Sequence, residues 1–176
     1  HGAVDTDAQI TKTKHVMCSY CWAQQEVVKR VHAVLVKRGY RVWIDVEQMR
    51  GSTVESMAAA VEESAAMLIG VSREYKESTN CRLEAQYAMQ REVATVPLML
   101  VDGYRADGWL GMLMGTRLWY GFFGAVLSSE SLFEGKVSEV CREVGERGKV
   151  DGGGAGDRAG HDEARTVDGG AAAGGS

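Results

Sequence analysis

The densest pair of reactive side chains in the sequence is Cys18 and Cys21, a CxxC in the run HVMCSYCW, and two chemistries use such a pair. A zinc site takes four ligands, usually a second CxxC or paired histidines. The chain offers neither, since His32 and His161 stand alone. A redox pair needs an exposed thiolate at the start of a helix. Cys18 falls inside an apolar run that reads as a strand, which places its thiol in the interior. Neither chemistry is expected. The four cysteines, Cys18, Cys21, Cys81 and Cys141, are few and unevenly spaced, the usage of a reducing compartment rather than of a disulfide scaffold.

Loops that cradle phosphates are the next possibility. A Gly-x-Gly-x-x-Gly run after the first strand would mark a dinucleotide site, and the chain has none. It also lacks the Gly-x-x-x-x-Gly-Lys-Ser/Thr loop of a nucleotidase. A phospho-acceptor would need an aspartate at the end of the third strand, where the sequence reads Gly70, Val71, Ser72. Lys29, Arg30, Lys37 and Arg38 make the nearest thing to a basic cluster, at the spacing of a solvated helix face. With a net charge of −4, a nucleic-acid partner is not expected.

Strand and helix signals alternate along the chain. Residues 15–18 form a short apolar strand. Val27, Val31, Val34 and Leu35 then recur on one helical face, and Gly39 closes that helix at its C′ position. YRVWID over residues 40–45 is a second strand, followed by a polar loop at 46–51. Ser52 and Glu55 have the spacing of a capping box for the next helix. AAMLIGV (65–71) is a nearly unbroken apolar run, the mark of a central strand covered on both faces. A helix over 81–92, a strand over 96–101, a short helix over 109–114, an edge strand over 116–120 and a last helix over 131–144 complete the series. Five βα units predict an α/β fold: a flavodoxin-like three-layer sandwich with a five-stranded parallel sheet.

A polar lead-in (1–14) and a glycine-rich tail (147–176) flank a domain over 15–146. The last 26 residues hold nine glycines and no aromatic residue, too little apolar surface to offset ordering entropy. No apolar run reaches the ~18–20 residues of a membrane span. The first ten residues are polar and begin with His1, so the chain is expected to be a piece of a longer, cytoplasmic protein.

Three stretches, in order, resemble the TIR (Toll/interleukin-1 receptor) domain family of innate-immune and cell-death signalling. HVMCSY (15–20) is similar to that family's first box, an apolar strand ending in Ser-Tyr. WIDVEQMRGSTVESMAAAVEES (43–64) is similar to its BB-loop region, with an Asp after the strand and an Arg-Gly closing the loop. VSREYKESTNCRLEAQYA (71–88) is similar to its S-x-x-Y-x-x-S-x-x-C-x-x-E segment, carried by Ser72, Tyr75, Ser78, Cys81 and Glu84. A weaker likeness continues through GWLG (108–111).

The resemblance implies one of two activities. Some TIR domains cleave NAD+ to nicotinamide and ADP-ribose, linear or cyclised, as NAD+ nucleosidases; others act only as adaptors that recruit further TIR domains. In the enzymatic branch a glutamate after the third strand is essential, and Glu84 is the matching position. Beside it the resemblance places Ser19, Tyr20, Trp22, Trp43, Asp45, Arg50, Asn80 and Cys81 around NAD+, which is substrate and not cofactor. From its position alone, Glu84 also reads as a solvated carboxylate in a helix's first turn. Asn80 stands where catalytic members often carry a tryptophan, and it also reads as a helix cap. Trp22 is either a stacking face or a packing residue, and Trp43 reads as core. Asp45 and Arg50 suit either a loop-stabilising pair or a contact with phosphate.

Overall fold

A computed structural model describes residues 14–44 and 53–150. Asp45, Arg50, the 46–51 loop and the Ser52 cap lie outside the described residues, as do 1–13 and 151–176.

Five parallel strands, β1 (His15–Ser19), β2 (Val42–Ile44), β3 (Ser64–Val71), β4 (Ala94–Met99) and β5 (Tyr120–Gly121), stand in the order β2-β1-β3-β4-β5. Helix α1 (Gln25–Lys37) follows a 3-10 turn at Trp22–Gln24, and α2 (Val54–Glu62) leads into β3. Two helices, α3 (Arg73–Glu77) and α4 (Thr79–Gln90), connect β3 to β4. Then come α5 (Gly108–Met114), α6 (Ala125–Ser128) and α7 (Glu130–Val144). The expected five-stranded parallel α/β sandwich is the observed one.

The sheet order reverses at β1: the chain first steps outward to β2, then returns past β1 to β3. With right-handed crossovers this puts helices on opposite faces. One buried cluster joins β1 to α1 and α7 through Val16, Val31, Leu35, Phe133, Val137 and Val140. The other joins it to α2, α4 and α5 through Met17, Val61, Met67, Ala85, Leu110 and Leu113. Fully burying one such branched side chain stabilises the fold by about 1.5–3 kcal/mol.

Several expectations shift in detail. The cap of α2 is Thr53, whose side chain accepts from the Ser56 amide, one residue beyond the cap expected at Ser52. Strand β5 has only two residues, because only Tyr120 and Gly121 meet Leu98 and Met99; Leu118 and Trp119 are exposed. The basic cluster on α1 is not wholly solvated. Arg30 lies 4.0 Å over the Phe133 ring, and Arg38 donates to Ser138 Oγ at 2.7 Å and to the Glu134 carbonyl at 3.1 Å. Two of its four cations therefore clamp α7 onto α1.

The domain also runs further than residue 146. Gly145 (φ +65°) ends α7, and its carbonyl accepts from Tyr40 Oη at 2.6 Å. The Gly148 carbonyl then accepts from the Arg41 amide at 2.7 Å, and Lys149 bridges Tyr40. Residues 147–150, expected in the tail, close the lower edge of the sheet. Gly148 has φ +72°, and a Cβ there would stand 2.9 Å from the backbone nitrogen of Val16. Gly148→Ala combines that overlap with left-handed backbone strain, so we expect a loss of about 2–4 kcal/mol in urea unfolding. An unchanged midpoint would show that this closure contributes nothing.

Candidate functional site

The segment 71–88 builds the site by breaking one helix into two. Ser72 caps α3, accepting from the Tyr75 amide at 3.1 Å. Ser78 caps α4, accepting from the Cys81 amide at 3.3 Å. Each such cap is worth roughly 1 kcal/mol. Asn80, considered as the cap, instead occupies the first turn of α4 and is exposed. Spacing from the Ser78 cap carries Cys81, Glu84, Ala85 and Ala88 along the inner face of α4, where all four are buried.

Glu84 is the unusual member. Its side chain is only 3% exposed, so it is not the solvated first-turn carboxylate that its position alone allowed. Ser19 Oγ donates to Glu84 Oε2 at 2.6 Å, and Ser19 Oγ also lies 2.8 Å from Tyr75 Oη. Ser19 and Tyr75 are themselves 1% and 0% exposed. Moving a lone carboxylate into an apolar interior is prohibitive, whereas a hydrogen bond to a charged group returns about 1.5–3 kcal/mol.

The place of this cluster follows from the sheet. Ser19 is the last residue of β1 and pairs with Ile69 near the end of β3. The gap between β1 and β3 is where the strand order reverses, and it is beyond the carboxyl ends of such strands that open α/β sheets bind ligands. Glu84 also lines a groove of about 340 Å³ between α2 and α4, with Val54, Met57, Val61, Leu83 and Tyr87. A larger recess of about 690 Å³, between α3 and the loop after β4, includes neither Glu84 nor Ser19.

The structure brings Ser19, Cys81 and Glu84 together, and Tyr20, Trp22 and Trp43 stand apart from them. Tyr20 points to the opposite face, among Val28, Leu35 and Leu100. The pleat dictates this: adjacent residues of a strand face opposite sides, so Ser19 and Tyr20 cannot share one pocket wall. Trp22 is 43% exposed in the turn after β1. Trp43 stacks on His15, at the other end of β1 from Ser19, with ring centroids 6.2 Å apart. Tyr75 was the residue missed. It stood in the spaced motif, but only the fold reveals that it meets Ser19. Trp109 of α5 covers it with centroids 6.1 Å apart and donates from Nε1 to the Lys76 carbonyl at 3.0 Å.

Burial sets the electrostatics. The Tyr75 hydroxyl is held well above its ordinary range, first by desolvation and then by the neighbouring Cys81 and Glu84. Desolvation likewise pushes the Cys81 thiol up to about 12, and the Cys18 thiol, on the α1 side, to about 12. None of the four cysteines is in a disulfide. Among the described residues no group of His, Cys, Asp and Glu is placed to hold a metal, and no helix is long and apolar enough to cross a membrane.

The family model described as "TIR domain" matches residues 16–134. No curated protein matches the chain in sequence. Among solved structures, the TIR domain of the Toll-related receptor TRR-2 from Hydra magnipapillata is similar in fold. Its TM-score is 0.56 at 12% identity, over 75% of this chain and 98% of that one. The TIR domains of the activated Roq1 resistosome, which recognises the effector XopQ, give a TM-score of 0.46 at 17% identity, over 74% and 84% of the two chains.

The thiols provide a direct check of the burial pattern. At pH 8 a thiol held at about 12 is thiolate in about one part in ten thousand, and only the thiolate alkylates. Iodoacetamide is therefore expected to label Cys21 and Cys141 in the native protein, and Cys18 and Cys81 only after denaturation, as read by peptide mass spectrometry. Rapid native labelling of Cys18 or Cys81 would contradict the placement.

Proposed function

This chain belongs to the TIR domain family, and we propose that it is a self-associating signalling module that hydrolyses NAD+ through Glu84. The supporting observation is a buried carboxylate at the switch point of the sheet, held by a serine from the end of β1. Cytoplasmic NAD+ would be the substrate, and the four unpaired cysteines favour that reducing compartment.

The chemistry asks little of the protein besides one well-placed negative charge. The bond that breaks joins C1′ of the ribose to the pyridinium nitrogen. Its electron pair leaves with nicotinamide, which becomes neutral without needing a proton. The ribosyl fragment develops oxocarbenium character, the charge that carboxylates stabilise in glycosidases. Water then adds at C1′, giving ADP-ribose and one proton; capture by an adenine nitrogen of the same molecule would give the cyclic isomer. Glu84 is assigned to the cationic ribose and Ser19 to holding the carboxylate.

A second reading, a non-catalytic adaptor for other TIR domains, is favoured by Asn80. It is exposed and polar where an aromatic wall for nicotinamide would stand. The two readings separate on one substitution. Glu84→Gln keeps the shape of the side chain but removes its charge. At high protein concentration the native chain is expected to release nicotinamide from NAD+, and Glu84→Gln to lose at least about 100-fold of that rate, the scale of one removed electrostatic stabiliser. No release from a demonstrably assembled sample would leave the adaptor reading.

A further inference from the structure

Tyr75 lies outside the set of residues that NAD+ cleavage calls upon, yet it is the side chain best placed to govern Glu84. We infer that Tyr75 is the positioning residue of this site: its hydroxyl, acting through Ser19, fixes both the aim and the charged state of the Glu84 carboxylate. This rests on the reading of Glu84 as the reacting carboxylate.

Three oxygens stand in a row, Tyr75 Oη, Ser19 Oγ and Glu84 Oε2, at 2.8 and 2.6 Å. Burial holds the tyrosine well above its ordinary range, so Oη carries its proton at every pH at which the domain would work. Among the described residues that proton has one acceptor, Ser19 Oγ. Ser19 has a single proton of its own, and it donates that proton's hydrogen bond to Glu84 Oε2. With Glu84 ionised every link is made: tyrosine to serine, serine to carboxylate.

Protonating Glu84 on that oxygen would put one donor too many in the row. The carboxylic acid would donate to Ser19, and either the Ser19 or the Tyr75 proton would then have no acceptor among the described residues, where Tyr75 is 0% exposed and Ser19 1%. An orphaned buried donor is costly, so the relay favours the charged carboxylate. No proton is transferred during turnover; the chain only makes one protonation state cheaper than the other. The backbone fixes the row in place. Ser72 holds the Tyr75 amide, Ser78 starts the helix bearing Glu84, and Trp109 closes over the tyrosine ring.

Among the described residues, Tyr75 on α3 and Cys81 on α4 are the titratable groups that interact with Glu84. Cys21, beyond β1, lies beside Cys81, and Tyr87, which shares the groove lined by Glu84, donates from Oη to Glu62 on α2 at 2.5 Å. Cys81, at about 12, keeps its proton through the neutral range, and Tyr87 is raised by its bond to Glu62. Neither would imitate a change at Glu84.

The test reads the carboxylate itself as well as turnover. In the full chain, the 13C resonance of the Glu84 carboxyl is followed against pH for the native protein, Tyr75→Phe, Ser19→Ala and the double variant. Tyr75→Phe is expected to move the Glu84 titration to higher pH, lower kcat about tenfold and leave KM for NAD+ within about twofold, the scale of one hydrogen bond to a charged group. Ser19→Ala should do the same, and Tyr75→Phe should add less than about twofold once Ser19 is gone, as members of one chain are not additive. Should Tyr75→Phe fail to fold, 3-fluorotyrosine placed at position 75 keeps the ring and strengthens the donor, and is expected to shift the titration to lower pH. An unmoved Glu84 titration, or effects of the two substitutions that multiply, overturns the relay. A shifted titration in a protein that releases no nicotinamide leaves the relay standing and removes the proposed reaction instead.

Discussion

The hydrogen bond from Ser19 Oγ to Glu84 Oε2 is the contact around which this domain is organised. A carboxylate inside a protein costs several kcal/mol to desolvate unless polar partners meet it. Those partners come from distant parts of the chain, and the bond spans 65 residues of sequence. It therefore forms only when β1 lies beside β3 and α4 has returned across the sheet. Assembly of the sheet and satisfaction of the carboxylate are one event.

Local structure serves that contact. A continuous helix after β3 would rotate Tyr75 and Glu84 to fixed positions on one cylinder. Two serine caps break it instead, so that α3 brings Tyr75 and α4 brings Glu84 to the same serine from different directions. The opposite face of the sheet has another task. There Arg30 and Arg38 clamp α7, and Tyr40 with residues 147–150 closes the lower edge, at the opposite end of the strands from Ser19.

The alternation of apolar strands and periodic helices made the sheet and its layers legible, since burial on two faces or one leaves a direct signature in spacing. Strand ends were less so. TRLWY has strand-forming residues throughout, but pairing with β4 reaches only Tyr120, a tertiary fact that composition does not encode. At the site, the motif spacing pointed to Glu84, while its burial was invisible: a glutamate in a helix reads as solvated until a β1 serine is known to face it. Tyr20 illustrates the converse. Its neighbour Ser19 enters the cluster, and the pleat alone sends Tyr20 into the other core. Tyr75 escaped because its partner lies 56 residues away, a pairing that no local pattern records.

The central claim is that the buried carboxylate stands where the ribosyl cation forms. A crystal structure of the assembled Glu84→Gln variant with intact NAD+ tests it most directly. The account predicts the nicotinamide ribose at the carboxyl ends of β1 and β3, with C1′ within about 4 Å of the residue 84 side chain, the range of a near-attack contact. Density for the dinucleotide elsewhere, with the ribose remote from residue 84, would contradict it.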